Sequence, residues 1–377
     1  MLFRHGLLFM PDGHFRLGDL RVNGDRIAEV AENLSPLPGE ETLELNRGKL
    51  TPGLIDIHTH GTHMRDFCEG TPEAFSEMAA SYIQNGITTV CPTSMTLPVE
   101  RLETIFSAYA SWMEGNPSGT RMIGINMEGP FISVAKKGAH EGKYVVPADM
   151  DTFKRLWKAS GGRIRLCDVA PEVEGNLDFI RQAKTFCTIS VAHTAGSYEE
   201  VMAGFAAGAR GATHLFNAMT PFSHRAPGGP GAVFDRAEYA ELICDGEHVS
   251  PPVLRAAVRL LGPERLVVIS DSLMAAGMPE GTRCTLGGEE AVVKNGRAEL
   301  PDGTIAGSIV NLLEEVRRLI NFGIPEETAL LGCTRNPARA VRADDLGRLA
   351  PGMKADLLIL SPDYQAERVY RDGVREK

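Results

Sequence analysis

The chain has 377 residues, 43% hydrophobic and 23% charged, a globular balance that excludes wholesale disorder. Lys and Arg number 39 against 49 Asp and Glu, a net charge of −10, which argues against broad nucleic-acid binding and requires a local cluster for any anionic ligand. Seven scattered cysteines (68, 91, 167, 187, 244, 284, 333) with no Cys-x-x-Cys fit reduced thiols, and no apolar run approaches the ~20 residues that span a bilayer.

The N-terminal stretch from Met1 to Phe15 lacks the apolar segment and cleavage site of a signal peptide, so a cytoplasmic protein with no membrane partner is expected. Leu20-Arg21-Val22 reads as a strand, Asn23-Gly24 as a type I′ turn, and Arg26–Val30 as the return strand. The C-terminal segment is similar: Ala355–Leu360, a Ser361-Pro362-Asp363 break, then Glu367–Tyr370. Each terminal piece is too small to bury a core alone. The expectation is one discontinuous β-sandwich built from residues 1–51 and 344–377.

Between them, residues 52–343 alternate apolar strands with helical stretches. The candidate strands are Gly53–His58, Thr88–Thr93, Met122–Glu128, Ile164–Ala170, Thr188–His193, Gly211–Phe216, Ala240–Asp245 and Leu266–Asp271. They are mostly continuous apolar runs, as in parallel strands covered on both faces. Helices are predicted over Glu73–Gln84, Tyr198–Ala207 and Pro251–Leu261, each closed by a Gly just past its last turn, and over Ile309–Phe322 with Ser308 as its cap. The fold class is α/β, a (β/α)8 barrel, with a doubly wound open sheet as the structural alternative.

The predicted strand ends carry chemistry. The first ends in His58-Thr59-His60, the third in Glu128, the fifth in His193, the sixth near His214 and the eighth in Asp271. In a barrel these ends open on one face, where catalytic loops sit. A single His-x-His, or one histidine at a strand end, is ordinary. Four of the ten histidines at strand ends sharing one register are not. Imidazoles with carboxylates form a site for one or two divalent ions, Zn, Fe, Mn or Co. Such a site brings the pKa of water from 15.7 toward about 7 and yields hydroxide at neutral pH. Asp271 can ligate weakly, take the water's proton and hand it to a leaving group. His140 is a candidate for polarising the attacked carbonyl. The reaction class is hydrolysis of an amide-like bond. After the sixth strand, the loop from Asn217 to Gly229 carries Arg225, whose planar fork suits phosphate or carboxylate, and the amides of Asn217 and Ala218 are candidate donors. His248, after the seventh strand, is placed to meet substrate hydroxyls.

Thr51–Gly61 resembles the first-strand signature of the amidohydrolase superfamily. Asn126–Phe131, Ala192–Thr194, Thr213–Met219, Cys244–His248, Ser270–Ser272, Asp302–Ser308 and Arg335–Ala338 resemble segments of the N-acetylglucosamine-6-phosphate deacetylase family within it. The resemblance runs in order over nearly the whole chain. It implies that Glu128, His193 and His214 hold one metal, that His58 and His60 mark the two-metal type with Glu128 bridging, and that Asp271 is the proton shuttle. It implies that His140 polarises the acetyl carbonyl, that Asn217, Ala218, His224 and Arg225 meet phosphate, and that His248 meets the sugar. Ala139 and Ile305 join the expected substrate contacts. The implied partners are a phosphorylated N-acetyl amino sugar and a second copy in a homodimer. A galactosamine-configured substrate, another N-acyl amidohydrolase, or a non-catalytic assembly role are the competing functions.

Overall fold

The computed structural model describes residues 1–115, 117–286 and 289–377. Its centre is a parallel sheet of strands β1 Leu54–Thr59, β2 Ile87–Ser94, β3 Ile125–Met127, β4 Ile164–Val169, β5 Thr188–Val191, β6 Gly211–Ala212, β7 Tyr239–Ile243 and β8 Leu266–Ile269. Each strand pairs in parallel with the next. The ends of β8 and β1 meet through Asp271 N–H to His58 O (3.0 Å) and His60 N–H to Ser272 O (2.9 Å). That contact curls the sheet round on itself and discards the open-sheet alternative. The fold is a (β/α)8 barrel.

Strand residues divide by parity, as a pleated sheet requires. Ala240 and Leu242 of β7, with Cys167 and Val169 of β4, pack outward in the main core under the helices. Tyr239 and Ile243 of β7, Leu166 of β4, and Val267 and Ile269 of β8 form a separate cluster with Ala338 and Val341. Gly211 makes room there, since a Cβ at this position would collide with the Tyr239 ring.

The helices form where expected. Tyr198–Ala207 is closed at its start by a capping box between Ser197 and Glu200, and Pro72–Ile83 by Thr71, whose side chain accepts from Ala74 N–H. The helix expected from Ile309 starts at Leu312 instead. Its cap is Asn311, which accepts from Glu314 N–H at 3.0 Å, while Ser308 turns back to accept from Val310 N–H. The reason lies upstream. Ile305–Gly307 is a strand, so the backbone at Ser308 is still extended and pairs with Ser272.

That strand is the last of a four-stranded antiparallel sheet, Arg283–Leu286, Glu289–Lys294, Arg297–Glu299 and Ile305–Gly307, which the sequence reading passed over. The overlooked signal is Asn295-Gly296, both at positive φ (53° and 79°), a two-residue hairpin turn.

The chain ends make one mixed eight-stranded sheet. Leu2–Phe9 lies antiparallel to Phe15–Asn23, and its other edge serves Thr42–Glu44 and Lys49–Pro52 in turn. The C-terminal Leu357–Leu360 pairs with Lys49–Pro52. The first hairpin closes with Asn23 paired to Arg26, so Gly24-Asp25 make its turn, one residue later than expected. Phe3, Leu20, Leu50, Leu357 and Tyr370 fill this small β domain. Arg121 beside the barrel ties it down through Asp356 and Asp372. Among the described residues no helix is long and apolar enough to cross a membrane.

Candidate metal centre

The ligand-bearing residues gather where the strands stop. His58 lies within β1 and His60 one residue beyond it; Glu128 directly follows β3. His193, His214 and Asp271 each lie two residues past β5, β6 and β8. The strands are therefore shorter than the sequence suggested. His193 (φ 44°), His214 (φ 31°) and Asp271 (φ 44°) adopt left-handed backbone, which ends the extended run and re-aims each side chain toward the axis. Such geometry costs of order 1–3 kcal/mol per residue and persists only where the surroundings enforce it.

The donor atoms converge on Glu128. Its Oε1 is 2.9 Å from His193 Nε2 and 3.0 Å from His214 Nε2, and those two nitrogens are 3.1 Å apart. Donors bonded to one ion at about 2.0–2.2 Å sit roughly 3 Å from one another. On the other side, Asp271 Oδ1 is 3.5 Å from His58 Nε2 and 3.3 Å from His60 Nε2. Glu128 reaches this group too, with Oε2 3.2 Å from His60 Nε2 and Oε1 3.6 Å from His58 Nε2.

Outer hydrogen bonds set the ring tautomers. His58 Nδ1 faces Glu241 Oε2 (3.2 Å), His60 Nδ1 faces the Thr93 carbonyl (3.2 Å), and His193 Nδ1 faces the Lys136 carbonyl (2.8 Å). An oxygen can only accept, so each Nδ1 carries a proton, and in the neutral ring each Nε2 keeps the lone pair. The His58 Nε2 is buried without a hydrogen-bond partner among the described residues. Once these rings are neutral, their Nε2 lone pairs and the two carboxylates point inward together, which fits a divalent cation.

His140 is different. Its Nδ1 accepts the Thr96 backbone N–H at 3.0 Å, which puts the ring proton on Nε2, 3.5 Å from Glu128 Oε2. His140 is close enough to be counted with Glu128 and His193 as a ligand trio. Its tautomer makes it a donor, whereas His214 Nε2 stands 3.0 Å from Glu128 Oε1.

Charge follows geometry. Burial opposes ionisation, yet Glu128 stays well below the usual carboxylate range because His58 and His140 face it. Burial likewise opposes the charged form of His58 and His60, but Glu128 and Asp271 raise both, His60 to about 10. His193 is pushed down to about 4, first by burial. Without an ion this site holds protons.

One cavity opens onto these atoms, lined also by Ala139, Asn217, Ala218, His248 and Ile305. His248 Nδ1 donates to Asp245 at 2.6 Å, leaving Nε2 for a ligand. The Asn217 backbone N–H closes onto the His214 carbonyl (2.9 Å), so that amide is spent on the turn. His224 and Arg225 do not line the cavity; they are exposed on the loop after β6. The sequence reading missed Met95, Gly138, Leu286 and Thr304 on the wall, and Glu241 beneath it. Gly138 (φ 56°) passes so close that a Cβ would sit 3.3 Å from His193 Cε1. The signal for Glu241 was a single acid inside an apolar strand.

A parallel barrel whose rim presents imidazoles and carboxylates to one cavity defines a metal-dependent hydrolase scaffold. The chain belongs to the amidohydrolase family, whose model matches residues 50–375. It is 31% identical over 92% of its length to an N-acetylgalactosamine-6-phosphate deacetylase of Escherichia coli O157:H7, covering 93% of that protein. It is 31% identical over 92% of its length to an N-acetylglucosamine-6-phosphate deacetylase of Bacillus subtilis (strain 168), covering 90% of it. Among solved structures, an N-acetyl-D-glucosamine-6-phosphate deacetylase from Mycobacterium smegmatis in complex with N-acetyl-D-glucosamine-6-phosphate superposes with a TM-score of 0.92 at 30% identity, over 100% of this chain and 99% of that one.

Proposed function

We propose that this protein hydrolyses the N-acetyl group of N-acetylglucosamine 6-phosphate, giving acetate and glucosamine 6-phosphate. The observation that carries the reading is the tautomer contrast across one cavity. His58, His60 and His193 present Nε2 lone pairs beside Glu128 and Asp271, while His140 presents an N–H. Glu128, His193 and His214, and His58, His60 and Asp271, would hold divalent metal (Zn, Fe, Mn or Co, one or two ions per chain), which would supply an acidified water and a Lewis-acid contact.

The chain's own groups then have distinct tasks. His140 Nε2–H donates to the acetyl carbonyl oxygen, where charge builds up. Asp271 accepts the proton of the attacking water and passes it to the amine nitrogen as the C–N bond breaks. His60 and His58 hold that carboxylate near the reacting atoms. His248 accepts from a sugar hydroxyl, and Ala139, Asn217, Ala218 and Ile305 form the walls. His224 and Arg225, exposed on their own chain, meet the phosphate, and a homodimer in which a neighbour completes the site fits their position. The protein acts in the cytoplasm.

A galactosamine-configured substrate is the second reading, favoured by the Escherichia coli relative. The test is acetate release by zinc-loaded protein from both 6-phosphates, against metal-stripped protein. Faster turnover of the gluco sugar is expected. Release no faster than the stripped control rejects the activity, and a preference for the galacto sugar moves the assignment to the second reading.

A further inference from the structure

Tyr239, Leu166 and Val267 belong to an apolar cluster, whereas Asp168, Ser190 and Thr213 form a buried hydrogen-bonded polar group. Glu241 is a further buried polar residue. It lies between Tyr239 and Ile243 on the inward face of β7 and is fully buried. A buried carboxylate without a specific task is expensive to keep. Its Oε2 lies 3.2 Å from His58 Nδ1, and its Oε1 has no hydrogen-bond partner among the described residues. By contrast, the buried Asp168 accepts from Thr213 at 2.8 Å and is pushed up to about 8, first by burial and then by Glu241.

We propose that Glu241 is a positioning residue for the ion shared by His58, His60 and Asp271: it fixes His58 as the Nδ1–H tautomer and aims Nε2 at the rim. This rests on the two-ion reading above. His60 and His193 are fixed by backbone carbonyls, which no substitution can remove. His58 alone among these three depends on a side chain, so one position controls one ion. Among the described residues the Glu241 carboxylate makes no hydrogen bond or ion pair with His193 or His214, which hold the other ion.

The test measures manganese(II) binding by the whole protein rather than turnover. Glu241→Met removes the acceptor at similar volume; Glu241→Gln keeps an acceptor oxygen and serves as the conservative rescue. Two ions per chain, with a spin-coupled pair in the electron paramagnetic resonance spectrum, are expected for the unaltered protein. For Glu241→Met, the second ion should bind about 10–100-fold more weakly, the coupled signal should be lost, and the first ion should stay within about twofold. Glu241→Gln should recover most of the loss. Both affinities unchanged in Glu241→Met, or both reduced alike, would overturn the inference while leaving the two-ion reading intact. An unaltered protein that never takes a second ion overturns both. If Glu241→Met does not fold, the zinc-loaded unaltered protein decides: nitrogen-15 shifts showing His58 bound through Nε2 with Nδ1 protonated support the role, and binding through Nδ1 overturns it.

Discussion

The backbone N–H of Thr96 points at His140 Nδ1 from 3.0 Å, and this contact separates His140 from every other histidine at the rim. A backbone amide cannot accept, so the imidazole must, and its remaining proton faces the cavity. Replacing His140 by Ala should leave metal content unchanged and lower kcat by about 10²–10³, the loss of one oxyanion donor. Metal analysis beside steady-state kinetics checks this; loss of an ion in that variant would make His140 a ligand.

Among the described residues the Asp271 carboxylate meets only the rim imidazoles, and burial is outweighed by His58 and His60, which hold its carboxyl below the usual range. It is therefore ionised at neutral pH and able to take a proton. Asp271→Asn keeps the shape and cannot. The ion at Glu128, His193 and His214 should remain, with kcat reduced by about 10²–10⁴. Near-normal kcat would remove Asp271 from the proton path.

Metal binding should release protons. In the metal-free protein His60 is raised to about 10 by Asp271 and Glu128 against the opposing effect of burial, so it is protonated at pH 7, and a ligand must be neutral. Affinity for the ion should rise with pH toward 10 and fall on acidification. Zinc titration calorimetry at pH 7, in buffers of different ionisation enthalpy, should show net proton release; none would contradict the arrangement. The same shift has a sign for metal-free stability. A folded pKa above the unfolded value of about 6.5 stabilises fully below pH 6.5, and that contribution is lost as pH rises through about 10. Urea midpoints of the metal-free protein should register it.

Arg225 is exposed on the loop after β6, outside its own chain's cavity. If it meets phosphate, Arg225→Ala should raise KM for the phosphorylated sugar roughly 10–150-fold, the equivalent of about 1.5–3 kcal/mol, and leave the unphosphorylated analogue almost unchanged. Equal effects on both would place the phosphate elsewhere.

The barrel could be read because its strands are continuous apolar runs and its helices carry their own punctuation, Ser197 with Glu200 and Gly208 for one, Thr71 and Gly86 for another. The rim could be read because imidazoles and acids stand at the ends of those runs. Strand ends could not. Nothing local announces that His193, His214 and Asp271 take left-handed backbone, since convergence on Glu128 enforces it from elsewhere in the fold. The sheet over Arg283–Gly307 escaped because its strands are three to six residues long and partly polar, and it packs on Leu273 and Met95 rather than on itself. Glu241 escaped for a related reason: its partner, His58, is 183 residues away.

The central requirement is a cation at this rim. Crystals grown with zinc and measured at the zinc edge test it directly. Anomalous density is expected between Glu128 Oε1, His193 Nε2 and His214 Nε2, with a second peak by His58, His60 and Asp271. Zinc bound elsewhere on the chain, with nothing between Glu128, His193 and His214, would contradict it.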